Sequence, residues 1–241
     1  MIKINTEEIE HFKQIDREIK SIVDRAVINS RHHQKVKVIA VSKTKPIDVL
    51  KNAYFAGIKV FGENYVQELV DKAEIFKSPD LTDIEWHFIG HLQSNKVKYI
   101  VPFVDYIHSV DSLKLAEEIN KRAEQNEKIQ KILLQVNTSG EESKSGCEPN
   151  EAISLAAEYL KFPNIELVGL MTIGTFTDDE NQQRKEFSML RDLLNQINLN
   201  LNIELKELSM GMTNDYPVAI DEGATMVRIG TAYFGERNYN K

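Results

Sequence analysis

Cysteine is nearly absent from this chain of 241 residues, with Cys147 the only one. No internal disulfide can form, so an apolar core must supply the stability, as suits a reducing compartment. Long apolar runs are also missing: none approaches the ~18 residues of a membrane-spanning helix. The opening stretch, MIKINTEEIEHF, has no apolar core of a secretory signal. Positive charge is in deficit, with 30 Lys and Arg against 37 Asp and Glu and a net charge of −7. That balance argues against nucleic acid as the main partner. Glycine and proline number only 11 and 6 and nowhere gather into a linker. The expectation is one folded domain over residues 1–241, cytoplasmic and away from membranes.

What is present is an alternation of short apolar runs and helical stripes. Residues 1–30 hold a helix, with Ile9, Phe12, Ile15, Ile19, Ile22 and Ala26 on one face and Thr6 as its expected N-cap. Eight strands are expected over 36–42, 60–62, 86–90, 106–109, 132–137, 167–173, 207–210 and 226–229. Most are short and continuously apolar, as strands buried on both faces are. The segments between them read as helices. Pro46 suits a first helical position, Gly57 a helix end, and Thr177 with Glu180 a capping box. Eight β–α repeats favour a single closed (β/α)8 barrel of the TIM type, α/β in class, with an extra N-terminal helix packed on it. An open, doubly wound sheet is the rival, but no GxGxxG occurs in the chain.

In such a barrel the site lies at the C-terminal ends of the strands, and the loops after strands 7 and 8 often hold phosphate. Here those loops read SMGMTND, from Ser209, and RIGT, from Arg228. Small residues, hydroxyls and backbone N–H groups attract anions, although capped turns need nothing more. Lys43 stands at the end of the first strand. A lysine there either snorkels to solvent or points into the mouth as a nucleophile toward a carbonyl. Arg228 ends the eighth strand. It pairs either with a carboxylate such as Glu222 or with a ring nitrogen that it keeps unprotonated. A Schiff-base lysine across the mouth from a phosphate cup suggests pyridoxal 5′-phosphate.

Seven motifs spread from about residue 36 to 239, VIAVSKTKP, FGENYVQE, WHFIGHLQSNK, SKSG, GLMTIG, LSMGMTND and MVRIGTAYFGER, resemble those of the pyridoxal phosphate homeostasis protein family. That family is similar to the N-terminal barrel of alanine racemase. The resemblance implies pyridoxal phosphate held as a Schiff base without established catalysis, and a role in cofactor supply and in amino-acid and keto-acid balance. It implies Lys43 as the Schiff-base lysine and Ser209 and Thr213 as phosphate ligands, with Gly211 and Met212 lending backbone. Gly230 and Thr231 match the phosphate ligands after the last strand, and Arg228 the partner of the pyridine nitrogen. Asn64 and Met171 fall near the ring. His91 stands where some members have proline.

No metal site is expected; His32 and His33 read as a solvated loop. His87 reads as a satisfied barrel histidine, Lys45 as a surface lysine, Tyr65 as a helix cap, Ser143–Gly146 as either a turn or a ligand contact, and Cys147 as an unactivated thiol. The alternative function is a pyridoxal-dependent amino-acid racemase. It needs a second base on the opposite ring face, which in the related racemase comes from a further C-terminal domain. The expectation is therefore a non-enzymatic carrier, monomeric, with apo-enzymes as recipients of the cofactor.

Overall fold

A computed structural model describes residues 5–78, 81 and 83–236. Eight parallel strands close a barrel in sequence order. They are β1 (Lys37–Val41), β2 (Val60–Glu63), β3 (Glu85–Phe88), β4 (Tyr106–Val110), β5 (Gln130–Gln135), β6 (Ile165–Met171), β7 (Glu207–Met212) and β8 (Met226–Ile229). Closure comes from β8 on β1, with Val38 opposite Val227 and Ala40 opposite Ile229. Alternation along each strand sends one side chain inward and the next toward the helices. Phe61, Trp86, Ile107, Leu170 and Val227 pack outward into the main apolar core. Ile39, Tyr106, Leu133, Met171 and Met226 form a separate inner cluster.

Helix α1 (Thr6–Asn29) begins one residue earlier than its sequence signal. Asn5, not Thr6, is the N-cap, because its side chain reaches the N–H groups of both Glu7 and Glu8. The helix buries Phe12, Ile19 and Val23. Following it are α2 (Ile47–Phe55), α3 (Val66–Phe76), a 3₁₀ turn at Ser94–Lys96 with α4 (Val97–Ile100), α5 (Leu113–Gln125), α6 (Ala152–Tyr159) and α7 (Glu180–Leu201). The last two are α8 (Tyr216–Asp221) and α9 (Thr231–Phe234). Pro46 is the N-cap of α2 rather than its first residue. Asp179 caps α7, accepting from Asn181 N–H, while Thr177 accepts from Asp179 N–H in the turn before it. Because α9 is a single turn, it cannot cover the β8–β1 seam. Helix α1 does so, packing on α2, α8 and α9. Phe12 meets Phe234 edge-on at 5.6 Å, and Tyr233 donates to Asp16 at 2.8 Å.

Among the described residues no helix is long and apolar enough to cross a membrane. Nor do three His, Cys, Asp or Glu side chains gather to hold a metal ion.

Candidate functional site

Lys43 leaves β1 inside a clamp built from α3. Lys72 donates to the Ser42 carbonyl at 2.8 Å. On the other side of Lys43, Glu68 accepts the Thr44 N–H at 2.6 Å. Thr44 has φ +66°, the left-handed region that side chains with a branched Cβ seldom adopt, and the Glu68 bond holds it there. Lys72 also pairs with Glu63 at 2.6 Å and with Glu68 at 2.7 Å, while the Ser42 hydroxyl donates to Glu63 at 2.6 Å. Burial pushes the Glu63 carboxyl up, against the pull of Lys72. The turn after β1 is therefore fixed on both sides of Lys43 by charge-assisted bonds, which are stronger than neutral ones.

On the opposite wall the β7 strand bends. Ser209 pairs with Met226 and Met212 with Arg228, so Met210 and Gly211 together oppose Val227 alone. The bulge is at Gly211, whose φ is +87° and where a Cβ would lie 2.6 Å from the Ala219 Cβ; only glycine fits. Beyond the bulge, Met212 and Thr213 turn into the barrel mouth. Asp215 accepts the Met212 N–H at 2.5 Å. Thr213 accepts the Gly230 N–H at 3.3 Å, tying the β7 loop to the β8 loop.

These walls enclose a cavity of about 320 Å³ at the C-terminal ends of the strands. That is within the range of small-molecule sites, roughly 300–1,000 Å³. Seven of the ten residues singled out in the sequence line it: Lys43, Asn64, Met212, Thr213, Arg228, Gly230 and Thr231. Three do not. Ser209 is fully buried below the floor, where its hydroxyl bonds Arg228 at 2.6 Å and His108 at 2.9 Å. Ser209 is the third residue of β7, inside the strand and not in the loop that follows it. Met171 points into the inner cluster. Gly211 serves the bulge. Met212 does reach the cavity, but its N–H is engaged by Asp215 and is not offered to a ligand.

Arg228 forms the cavity floor and is 4% exposed. Besides Ser209 it donates to the Thr172 carbonyl at 2.7 Å. Burial lowers its pKa to about 10, with the Asp215 charge working in the other direction; it stays protonated at neutral pH. Glu222, its possible partner by sequence, binds Arg184 and Arg191 instead. Asn64 Oδ1 is buried at the cavity wall with no hydrogen-bond partner. An acceptor left in that state costs about 1–3 kcal/mol unless a bound group donates to it. A donor-bearing ligand with an anionic end fits this lining.

Sequence reasoning missed the segment after β6. Thr175, Phe176, Thr177 and Asp178 line the cavity, and Phe176 is 86% exposed at its rim. Glu186 of α7 holds this segment by accepting from Thr175 N–H and its hydroxyl, both at 2.7 Å. Its place after a barrel strand was the available signal. Lys45 turns away from the mouth and donates to the Phe234 carbonyl at 2.6 Å. Cys147 is buried, and burial pushes its thiol up to about 12, so it is inert. His87 lies inside the barrel with hydrogen bonds on both ring nitrogens.

The barrel, with a lysine after β1 and an arginine on β8 facing one cavity, defines a class. Residues 22–238 match the alanine racemase N-terminal domain. The alanine racemase of Clostridium difficile 630 superposes with a TM-score of 0.71 at 14% identity, over 98% of this chain and 58% of that one. At that identity the likeness is one of fold. The pyridoxal phosphate homeostasis protein of Aquifex aeolicus is 44% identical over 230 residues, 95% of this chain and 98% of its own. PipY of Synechococcus elongatus PCC7942, solved with PLP bound, has a TM-score of 0.81 and 32% identity, over 93% of this chain and all of that one. The chain belongs to the pyridoxal phosphate homeostasis protein family.

Proposed function

We propose that this chain binds pyridoxal 5′-phosphate in the barrel mouth and serves in homeostasis of that cofactor in the cytoplasm, as a monomer, without catalytic turnover. The observation that carries the reading is the convergence of Lys43 and Arg228, from opposite ends of the sequence, on one cavity also lined by Thr213, Gly230 and Thr231. The bound cofactor supplies an aldehyde and a ring that can draw electrons from an attached amine. The Lys43 amine adds to the aldehyde carbon, a C=N bond forms and one water leaves. Thr213 and Thr231 offer hydroxyls to the phosphate. Asn64 Oδ1 accepts a hydrogen bond from a ring substituent. Arg228 has donors only, so it gives a hydrogen bond to the ring nitrogen and leaves that nitrogen unprotonated, which weakens the ring as an electron sink.

Apo-enzymes that require the cofactor are the expected recipients. Loaded protein mixed with L-alanine should show no enzyme-like racemisation, and mixed with an apo-enzyme trap it should give up the cofactor. Racemase turnover at ~1–10³ per second, lost in Lys43→Ala, would replace this reading with the enzymatic one.

A further inference from the structure

Inside the barrel, below the cavity, runs a file of hydrogen bonds that the cavity lining does not account for. Arg228 Nη1 meets Ser209 Oγ at 2.6 Å. Ser209 Oγ meets His108 Nδ1 at 2.9 Å, and His108 Nε2 meets His87 Nδ1 at 2.7 Å. His87 Nε2 meets Glu85 Oε1 at 2.6 Å, where Lys37 also donates at 2.6 Å. Tyr106 stacks flat on the His87 ring at 4.5 Å, with Lys37 and Lys131 over its own ring. The file crosses the barrel from the cofactor end to the opposite end.

Its two termini fix the direction of every bond between them. A guanidinium can only donate, and an ionised carboxylate can only accept. With one proton on each histidine, Arg228 donates to Ser209, Ser209 to His108 Nδ1, His108 Nε2–H to His87 Nδ1, and His87 Nε2–H to Glu85. Every group in the file is then satisfied. A further proton reverses the middle of the file and leaves the Ser209 hydroxyl proton without an acceptor. It also places a third cation in an interior that already holds Arg228 and Lys37. Burial keeps both imidazoles neutral, which agrees with this direction.

We infer that His108 is a positioning residue for the bound cofactor: by accepting the Ser209 hydroxyl proton it turns an oxygen lone pair of Ser209 onto Arg228, and so fixes the guanidinium on the cavity floor against the ring nitrogen. The inference rests on the reading that pyridoxal phosphate occupies this cavity.

Two substitutions separate the two ends of the imidazole. In His108→Asn the side-chain oxygen takes the place of Nδ1 and still accepts from Ser209, while the contact to His87 is lost. In His108→Gln the side-chain nitrogen takes the place of Nε2 and still donates to His87, while the acceptor for Ser209 is lost. The full chain is loaded with pyridoxal phosphate, and three quantities are read: the visible absorption band, the cofactor Kd and the thermal midpoint. Both variants are expected to lower the midpoint. His108→Asn should keep the wild-type band and a Kd within about twofold, whereas His108→Gln should shift the band and raise Kd tenfold or more. Ser209→Ala, which deletes a single oxygen atom, should reproduce the His108→Gln shift, and the double variant should be no worse than Ser209→Ala alone.

Equal effects of Asn and Gln that track the thermal midpoint would overturn the inference, as would additive effects in the double variant. If neither His108 variant folds, Ser209→Ala with a wild-type band and Kd overturns it by itself. If the wild-type protein shows no band that borohydride bleaches, the function reading fails first and this inference falls with it.

Discussion

Thr213 follows β7 and Thr231 opens α9, yet both face the same cavity, and the Thr213 hydroxyl also accepts the Gly230 N–H. One side chain thus ties the segment after β7 to the turn after β8 and lines the pocket. Under the proposed function, removing either hydroxyl would delete a donor to the cofactor phosphate, a bond of about 1.5–3 kcal/mol. Thr231→Ala is expected to raise the cofactor Kd by roughly tenfold to a hundredfold. Thr213→Ala should cost at least as much, because it also loosens the Gly230 turn. Equilibrium dialysis checks both, and an unchanged Kd in the double variant would place the phosphate elsewhere. At this scale the sequence was legible wherever a residue stands at a strand end, as Lys43, Asn64, Arg228 and Thr231 do. Ser209 stands inside β7 and lies below the cavity floor, bonded to Arg228 and His108, because depth along a strand decides which side chains reach the mouth. A bulge at Gly211 carries β7 two residues beyond the end that its apolar run marks.

The elements themselves were easier to read. Most of the eight strands show as apolar runs because a parallel strand between barrel interior and helices is buried on both faces. Helix starts slipped by one or two residues at Asn5, Pro46 and Asp179, since a cap is decided by which side chain reaches the first free N–H groups. The ion cluster joining α3 to the end of β1 left no readable signal beyond the Glu68–Lys72 spacing, because Glu63 meets Lys72 only through the fold. Lys72 is 5% exposed and Glu63 is fully buried. Lys72→Met strands that carboxylate and should destabilise the protein by about 3–5 kcal/mol. Lys72→Met with Glu63→Leu should recover most of the loss, because apolar replacement of a buried pair is often neutral. Urea denaturation measures both. In the single variant, attachment of cofactor at Lys43 should also slow, since the Ser42 carbonyl loses its anchor.

For the molecule as a whole, the barrel interior sets the response to acid. His87 and His108 are neutral when folded, their pKa values lowered from 6.5 by burial. Below that pH the unfolded chain binds more protons than the folded one, so stability falls as pH drops. Glu85 adds a second step. Burial alone would raise its carboxyl, but hydrogen bonds from His87 and Lys37 outweigh that and bring it from 4.5 to about 2. Its contribution is present above 4.5 and is lost as pH falls toward about 2. The urea midpoint should therefore decline from about pH 6.5 downward. His108→Asn should flatten the upper part of that decline and Glu85→Gln the lower part; a midpoint flat from pH 7 to 5 would mean that the histidines take up protons in the folded protein as they do in the unfolded chain. Under the proposed function Lys43, clamped between Ser42 and Thr44, carries the cofactor. Borohydride reduction of the loaded protein, followed by peptide mapping, tests it most directly. One modified peptide is expected, with the adduct on Lys43, and none in Lys43→Ala that still folds. An adduct on Lys45 in the wild-type protein, or one that survives in Lys43→Ala, would contradict it.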